Sequence, residues 1–479
     1  MNKEIFWELT LSLILCVNIY SQDLVFEPKP AGLDNSKFIG YRGIWFILNE
    51  KYEYGDKNSG GFGTYTSNHL PLAIYAQEVD KTFFVYGGTT ESTEKHLLCM
   101  IGYYDHKTKK VSQPTVVCDK ITVIDPHDNP CLQIDQKGHI WVFVAGRGRV
   151  RPGFKYRSTK PYDIEQFEQI SMEEMCYPQP WVIPGKGFIN LFTKYMGNRL
   201  LYSETSSDGY NWSKDRQIVA IIEPGTTKGG HYQMSMLKDN TVGTFFNRHP
   251  DGNVDKRTDL YYMRTSDMGE TWTTVDGKIL DIPMVQVENP ARIINYREQG
   301  TNVYLCDMNY DQQGYPVCLY VTSRGHEPGP KNSPYQWKIT CWNGSEWVTS
   351  AVGDSDHNYD VGSLYILKDR WLIVAPFVNG PQLWGTGGEL AFYESVNQGK
   401  TWGITKQITC NSPRNHTYIR RPVNAHDPFF YYWADGNPHE FSISKLYFGD
   451  SSGNIWQLPY TMKGKTARPI YMKNIEAFR

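Results

Sequence analysis

The sequence predicts an all-β fold: a seven-bladed β-propeller with mainly four-stranded antiparallel blades. Short runs of Val, Ile, Phe and Tyr alternate with turns rich in Gly, Asp and Asn along all 479 residues. Long helical periodicity is nearly absent, and short apolar runs between turn signals are typical of strands. One unit of this pattern recurs at spacings of roughly fifty to seventy residues, which is the length expected of a propeller blade.

The repeated unit is a strand rich in aromatics, a turn with Ser, Asp and Gly, and a Trp that begins the next strand. Its clearest copies are "LLYSETSSDGYNW" (200–212), "LYYMRTSDMGETW" (260–272) and "LAFYESVNQGKTW" (390–402). Two degenerate copies and two further strands of the same kind complete a set of seven: 335–347, 445–456, 96–105 and 153–163. We expect the Asp to accept backbone N–H bonds and the Gly to adopt a positive φ, so these turns stabilise the fold and do not catalyse.

The N-terminus, "MNKEIFWELTLSLILCVNIYSQ", combines a Lys with an apolar run of about a dozen residues. This pattern predicts a signal peptide over residues 1–21, followed by a single propeller domain over 22–479. The run is too short to cross a bilayer, and no later stretch approaches the necessary length, so we expect no membrane span. The protein is therefore expected to be exported, either to the periplasm or into the medium.

Net charge and aromatic content indicate which kinds of molecule the protein binds. The formal net charge is −2, whereas a broad nucleic-acid surface is normally basic, so we expect no nucleic-acid partner. Aromatic residues make up 14% of the chain, including 33 Tyr and 14 Trp. Flat rings cover the apolar face of a sugar while their polar groups reach its hydroxyls, so this surplus suits carbohydrate binding.

Candidate functional residues lie where the innermost strands of the blades should begin. Four segments are polar and then turn apolar: "DPHDNPCLQID" (125–135), "MCYPQPWVI" (175–183), "KGGHYQMSM" (228–236) and "VENPARI" (287–293). Their spacing matches the blade period, and propellers usually bind ligands at the mouth of the central channel. We therefore expect His127, Tyr177, His231 and Tyr232 to converge on one face.

Cations follow these segments. The stretch 141–157 contains Arg147, Arg149 and Arg151, and the stretch 189–202 contains Lys194 and Arg199. A guanidinium fork suits a carboxylate, so a pocket with these cations predicts an anionic small ligand such as a uronic acid.

The residue types also indicate a reaction. A glycosidase normally needs two opposed carboxylates, and the segments offer His, Tyr and Arg instead. That set fits β-elimination at a uronate, in which a cation neutralises the carboxylate while His and Tyr transfer protons. The reaction requires no cofactor, and we assign no metal ligands. His426-Asp427 and His127-Asp128 could hold a structural or catalytic divalent cation, but they lack a diagnostic spacing.

Several motifs resemble a known family. They are "GYRGIWF" (40–46), "GDKNSGGFGTYTSNHLPLAIYAQEVDKTFFVYGGT" (55–89), "HDNP" (127–130), "YPQPW" (177–181) and "RRPVNAHDPFFYYWADG" (420–436). The chain resembles the BNR-repeat propeller polysaccharide lyases, which include ulvan lyases and L-rhamnose-α-1,4-D-glucuronate lyases, and a related α-L-rhamnosidase family. The resemblance covers essentially the whole chain after the leader and implies a seven-bladed propeller.

The resemblance also implies roles. It gives proton transfer to His127 and Tyr177, while Arg147 in "GRG" stands where ulvan lyases have a second His. In this respect the chain looks more like the rhamnose–glucuronate lyases, in which such an arginine binds the uronate. Lys194 or Arg199 would be a further cation, and Tyr232 would form the wall of the pocket.

Three hypotheses follow. The first is an exported lyase that acts on an acidic oligo- or polysaccharide containing rhamnose and glucuronate, from a plant or alga. The second is an α-L-rhamnosidase with a site on the opposite face, for which this chain offers Glu50 and, further downstream, His69. The third is a propeller that binds glycans without catalysis.

Overall fold

The computed structural model describes residues 32–48, 50–121, 123–195 and 197–472. The predicted leader at 1–21 lies outside these residues. The described residues form seven blades, each with a core of four antiparallel strands in chain order. Blades 2 to 6 are four-stranded sheets, and the sheets of blades 1 and 7 carry additional short strands. The all-β propeller predicted from the repeats is confirmed, and each repeated segment contains all or most of the third strand of its blade.

Each blade runs outward from the channel. The strands of blades 1 to 4 are, in order, Ala73–Ala76, Lys81–Gly88, Leu98–Asp105 and Thr115–Asp119; Pro130–Ile134, Ile140–Val144, Gly153–Ser158 and Phe167–Glu173; Cys176–Ile183, Gly187–Tyr195, Arg199–Ser206 and Arg216–Val219; and Gln233–Lys238, Thr241–Arg248, Thr258–Thr265 and Arg292–Ile294. Those of blades 5 to 7 are Asn302–Tyr310, Pro316–Ser323, Tyr335–Trp342 and Trp347–Ser355; Ser363–Ile366, Trp371–Val378, Glu389–Ser395 and Gly403–Gln407; and Asn415–Arg420, Tyr431–Gly436, Leu446–Gly449 and Ile455–Gln457.

The remaining elements are short, and several of them pair segments from either end of the described chain with blades 1 and 7. They are Gly32–Leu33, Gly43–Ile47, Lys51–Tyr52, Gly55–Asp56, Ser59–Gly61, Lys110–Ser112, Ser442–Ser444, Thr466–Ala467 and Ile470–Met472, with one-turn 3₁₀ helices at Pro126–Asp128, Pro250–Gly252, Val254–Lys256 and Pro330–Asn332. None of the helices within the described ranges is long and apolar enough to cross a membrane.

The N-terminal segment folds over one end of the channel. Its strand Gly43–Ile47 pairs with Ser442–Ser444 beside blade 7 and with Ser59–Gly61. The chain then continues across the channel mouth to the first strand of blade 1. This arrangement brings residues 46–48 and 65–68 to the same end of the channel as the loops that enter the innermost strands.

The Asp-containing turns have the structural role that the sequence predicted. In blade 3, Asp208 Oδ1 accepts the backbone N–H groups of Tyr210 and Asn211, both at 2.8 Å. Gly209 has a φ of +79°, and Trp212 Nε1 donates to its carbonyl at 2.6 Å. The hydrogen bonds from Asn211 lower the pKa of Asp208 to about 2, so its carboxylate stays ionised and keeps accepting in the turn.

Substitution of the buried Trp in the blade 4 turn tests whether these turns stabilise the fold by packing. Trp272 is 0% exposed within an apolar cluster between blades 3 and 4. We expect Trp272→Ala to lower the free energy of unfolding by about 3–5 kcal/mol, because a large cavity replaces the indole. Val396→Ala, at an 82% exposed position of the equivalent blade 6 turn, should change it by less than about 0.5 kcal/mol. If chemical denaturation showed equal losses of stability for the two variants, the packing role of Trp272 would be contradicted.

Candidate active site

A cavity of about 430 Å³ opens at the end of the channel where the innermost strands begin. Five of the residues singled out by the sequence line it: His127, Tyr177, Arg147, Arg199 and Tyr232. The predicted convergence of separate blades is therefore present for this set. Among the described residues of the lining, Asp125 is the only carboxylate.

The "DPHDNP" segment forms the one-turn helix that presents His127. Asp125 caps this helix, and its Oδ1 accepts from the backbone N–H of His127 at 3.0 Å and from the ring Nδ1 at 2.5 Å. Asp128 is fully buried and pairs with Lys120 Nζ at 2.8 Å and Arg151 Nη2 at 2.9 Å. Asn129 donates to the carbonyl of Tyr65 at 2.7 Å and so ties this turn to the N-terminal segment.

His127 is held in one tautomer. Because Asp125 accepts at Nδ1, the neutral ring carries its proton there, and Nε2 accepts from the Tyr65 hydroxyl at 2.8 Å. Burial lowers the pKa of His127, the Arg147 guanidinium lowers it further, and Asp125 offsets only part of this effect. The imidazole is therefore neutral near pH 7 and presents an unprotonated Nε2.

Tyr177 reaches the cavity through an irregular strand. The pairing register shifts between Cys176 and Gln179, and Tyr177 has a φ of +51° at this bulge. A left-handed conformation is costly for a bulky residue and persists where the surrounding structure imposes it, often at functional sites. The Tyr177 ring centroid lies 6.0 Å from that of His127, and its hydroxyl is 3.1 Å from the Tyr195 hydroxyl. Burial raises the pKa of Tyr177, so the phenol keeps its proton.

Two arginines flank Tyr195 in the cavity wall. The Arg147 Cζ lies 5.0 Å and the Arg199 Cζ 5.9 Å from the centroid of the Tyr195 ring. Arg147 Nη1 is 3.7 Å from Asp125 Oδ2, and about a third of its side chain remains exposed. Arg147 is therefore available to a ligand carboxylate while it stays close to the His127–Asp125 pair.

A third arginine was not found from the sequence. Arg257 is 6% exposed, and its Cζ lies 4.2 Å from the ring centroid of Tyr304, 4.9 Å from that of Tyr232 and 5.2 Å from that of Tyr359. Its Nη2 also donates to the Tyr359 hydroxyl at 2.8 Å. This aromatic cage holds a positive charge at the cavity wall, where an anionic ligand would meet it.

Tyr232 lies between two of these cations. Burial alone would raise the pKa of its phenol, but Arg199 and Arg257 outweigh burial and lower the pKa to about 8. Tyr177 and Tyr232 are thus neighbouring phenols, with ring centroids 5.3 Å apart, whose pKa values are driven in opposite directions.

Two predicted binding residues point away from the cavity. Lys194 precedes Tyr195 on a strand, and successive side chains face opposite sides, so Lys194 pairs instead with Asp215 Oδ2 at 2.6 Å. His231 is 0% exposed; its Nδ1 lies 3.0 Å from the Asn247 carbonyl, and its Nε2 accepts from the Ile221 N–H at 3.2 Å. The structure therefore places Lys194 in an ion pair and His231 in a buried, hydrogen-bonded position, both outside the lining of the cavity.

The alternative opposite-face pair is not assembled either. Glu50 is exposed, and its Oε2 accepts from the Tyr52 hydroxyl at 3.1 Å. His69 is 0% exposed beneath Tyr177, with ring centroids 5.6 Å apart. The two side chains do not share an accessible site.

Tyr65 was also missed as a functional residue, although it lies within one of the quoted motifs. Its role depends on the N-terminal segment crossing the channel, a long-range contact that no local pattern indicates. Arg257 follows a short polar loop, so in the sequence it looks like an ordinary surface cation. Only the structure shows that three tyrosines from blades 4 to 6 surround it.

Comparisons with known proteins agree with this architecture. A model of the BNR repeat-containing family matches residues 94–355. The chain is 22% identical over 321 residues to an ulvan lyase of Alteromonas sp. (strain LOR), covering 58% of this chain and 63% of the relative. It is 23% identical over 259 residues to an ulvan lyase PL25 of Pseudoalteromonas sp. (strain PLSV), covering 47% and 52%. The match thus spans between half and two thirds of these relatives.

Solved structures support the fold. A PL25 ulvan lyase bound to -[GlcA(1-4)Rha3S]- superimposes with a TM-score of 0.67 at 16% identity, covering 84% of this chain and 96% of that one. A second structure of a PL25 ulvan lyase gives a TM-score of 0.66 at 17% identity with the same coverage.

The cations in the cavity predict that the phenol of Tyr232 ionises at a lower pH than an ordinary tyrosine. We expect one tyrosine to ionise near pH 8 in an ultraviolet difference titration, and Tyr232→Phe should remove that transition. Arg257→Met should move it to higher pH because a cation beside the phenolate is lost. Arg297→Met, at an exposed position, serves as the control and should leave it in place. A first tyrosine transition at its ordinary value of about 10 would contradict the described geometry.

Proposed function

The chain belongs to the BNR repeat-containing family, and from that premise we propose that it is a polysaccharide lyase that cleaves by β-elimination at a uronate. The make-up of the cavity supports elimination: it holds a neutral histidine, a protonated tyrosine and three arginines, with a single carboxylate among its described lining. That carboxylate, Asp125, is already engaged by His127 and Arg151. The described lining therefore contains no opposed pair of carboxylates of the kind that a glycosidase uses for hydrolysis.

In the proposed reaction, Arg147 binds the uronate carboxylate and stabilises the negative charge that develops on it. His127 Nε2 takes the C5 proton, and the electron pair of that bond forms the C4–C5 double bond as the C4–O4 bond breaks. Tyr177 donates its proton to O4. The opposite pKa directions of His127 and Tyr177 suit a base and an acid respectively.

The substrate we propose is an acidic saccharide of rhamnose and glucuronate. Support comes from the resemblance of the sequence motifs, from the ulvan-lyase relatives and from a structurally similar PL25 ulvan lyase that was solved with -[GlcA(1-4)Rha3S]- bound. Arg199 and Arg257 add positive charge beyond what one carboxylate needs, and Tyr232 would form the wall against the sugar. Export through a leader at 1–21, with one propeller domain over 22–479, remains our prediction.

The assignment of His127 is tested by substitution. His127→Ala should lower lyase activity on rhamnose–glucuronate oligosaccharides by roughly a hundred- to ten-thousand-fold, the usual contribution of a positioned acid or base. Activity is followed by the ultraviolet absorbance of the unsaturated uronate. The control is His139→Ala, a half-buried histidine in the first hairpin of blade 2, which should retain full activity. A folded His127→Ala variant with unchanged activity would remove the proposed base.

The pH dependence tests the protonation state. Activity requires unprotonated His127, and its pKa is lowered, so kcat/KM should hold as pH falls through 6.5 and decline only below that value. Arg147→Gln removes a nearby cation, which raises the pKa of His127, so the acid limb of the remaining activity should move to higher pH. An acid limb at or above pH 7 in the unmodified enzyme, or one that Arg147→Gln leaves in place, would contradict the assignment.

A further inference from the structure

Two histidines and an aspartate meet on the seam between blades 1 and 7, at the end of the channel opposite the candidate active site. Asp80 lies in the first hairpin of blade 1, His106 follows the third strand of that blade, and His426 lies in the first hairpin of blade 7. Each offers one ligand atom, and these atoms all lie within 4.8 Å of one another. His426 is one of the residues that the sequence marked as able to hold a cation, whereas the carboxylate of Asp427 is engaged with Ser451.

His106 is oriented as a nitrogen ligand. Its Nδ1 lies 3.1 Å from the backbone carbonyl of Asp427, and a carbonyl can only accept, so the ring proton is on Nδ1. Nε2 is then the unprotonated nitrogen, and it accepts from the Thr82 hydroxyl at 2.8 Å. A histidine whose second nitrogen donates to a carbonyl is the usual arrangement around a bound metal.

One tyrosine contacts all three side chains. The Tyr75 ring stacks on His426, with centroids 4.4 Å apart and an interplanar angle of 14°, and it meets His106 edge-on at 5.1 Å. Its hydroxyl donates to Asp80 Oδ1 at 3.1 Å, which leaves Asp80 Oδ2 for another partner. The cluster thus has its own supporting contacts, separate from the active-site cavity.

We propose that Asp80, His106 and His426 bind a divalent transition metal ion of the Zn²⁺ class. Two imidazole nitrogens with one carboxylate oxygen suit Zn²⁺ better than Ca²⁺ or Mg²⁺, which prefer oxygen ligands. When the ion binds, it replaces the Thr82 hydroxyl as the partner of His106 Nε2. The three ligand atoms then move together to the distances of a metal site.

The ion would clamp the ring where it closes. Two ligands come from blade 1 and one from blade 7, and the same seam carries backbone hydrogen bonds from Tyr75 to Val423 at 2.9 Å and from Val423 to Ala73 at 2.8 Å. An ion that binds across this seam binds the folded ring more tightly than the unfolded chain, in which the three ligands are far apart. It therefore raises the stability of the ring by mass action.

The test uses the tag-free protein, freed of metal by a chelator, and ZnCl₂ as the only added probe. We expect calorimetric titration to give one Zn²⁺ per chain at this site and thermal unfolding to shift upward with added Zn²⁺. His426→Ala, at an exposed position, and Asp80→Asn, which keeps the side-chain volume, should each weaken binding by at least tenfold and reduce the thermal shift. His139→Ala, the histidine in the equivalent hairpin of blade 2, should leave both unchanged.

Three results would overturn the proposal. One is the absence of Zn²⁺ binding. Another is binding that survives both His426→Ala and Asp80→Asn, or that His139→Ala weakens equally. The third is binding that leaves the melting temperature unchanged, because a clamp across the seam must stabilise the ring.

Discussion

The hydrogen bond between Asp125 and His127 sets the chemistry of the cavity. A carboxylate at Nδ1 fixes both the tautomer and the direction of the ring, so that Nε2 is the nitrogen turned towards Tyr65. Arg151 holds the same carboxylate at 2.9 Å and keeps it in place. The two prolines, two aspartates and one asparagine of the "DPHDNP" turn are thus explained: each shapes the turn, holds the imidazole or ties the turn to its neighbours.

The propeller fold brings other side chains to the His127–Asp125 pair. Each innermost strand begins at the same end of the channel, so residues far apart in the chain meet there, and the N-terminal segment adds Tyr65 from above. The aromatic walls of the cavity also position its arginines. They hold Arg147, Arg199 and Arg257 in the cavity wall, where these charges act on the neighbouring phenols and would act on an anionic ligand.

Much of this could be predicted from the sequence, and the limits are physical. Repeat spacing and turn chemistry predicted the blades, and the shared phase of polar segments predicted the meeting of His127, Tyr177 and Tyr232. Lys194 and His231 turn away from the cavity, and in each case the next residue, Tyr195 or Tyr232, lines it. Alternation along the strand Gly187–Tyr195 explains the orientation of Lys194. His231 lies before the strand Gln233–Lys238, and its ring is held by the backbone of Asn247 and Ile221. Tyr65 and Arg257 depend on contacts between distant segments, which periodicity does not encode.

We propose that the cavity eliminates across C4 and C5 of a uronate and does not add water. The most direct measurement is the mass of the products formed from a rhamnose–glucuronate oligosaccharide in water enriched in heavy oxygen. Elimination predicts an unsaturated uronate fragment and a second fragment, neither of which carries the label, with masses that sum to that of the substrate. Products that gain the mass of one labelled water would show hydrolysis and would contradict the account.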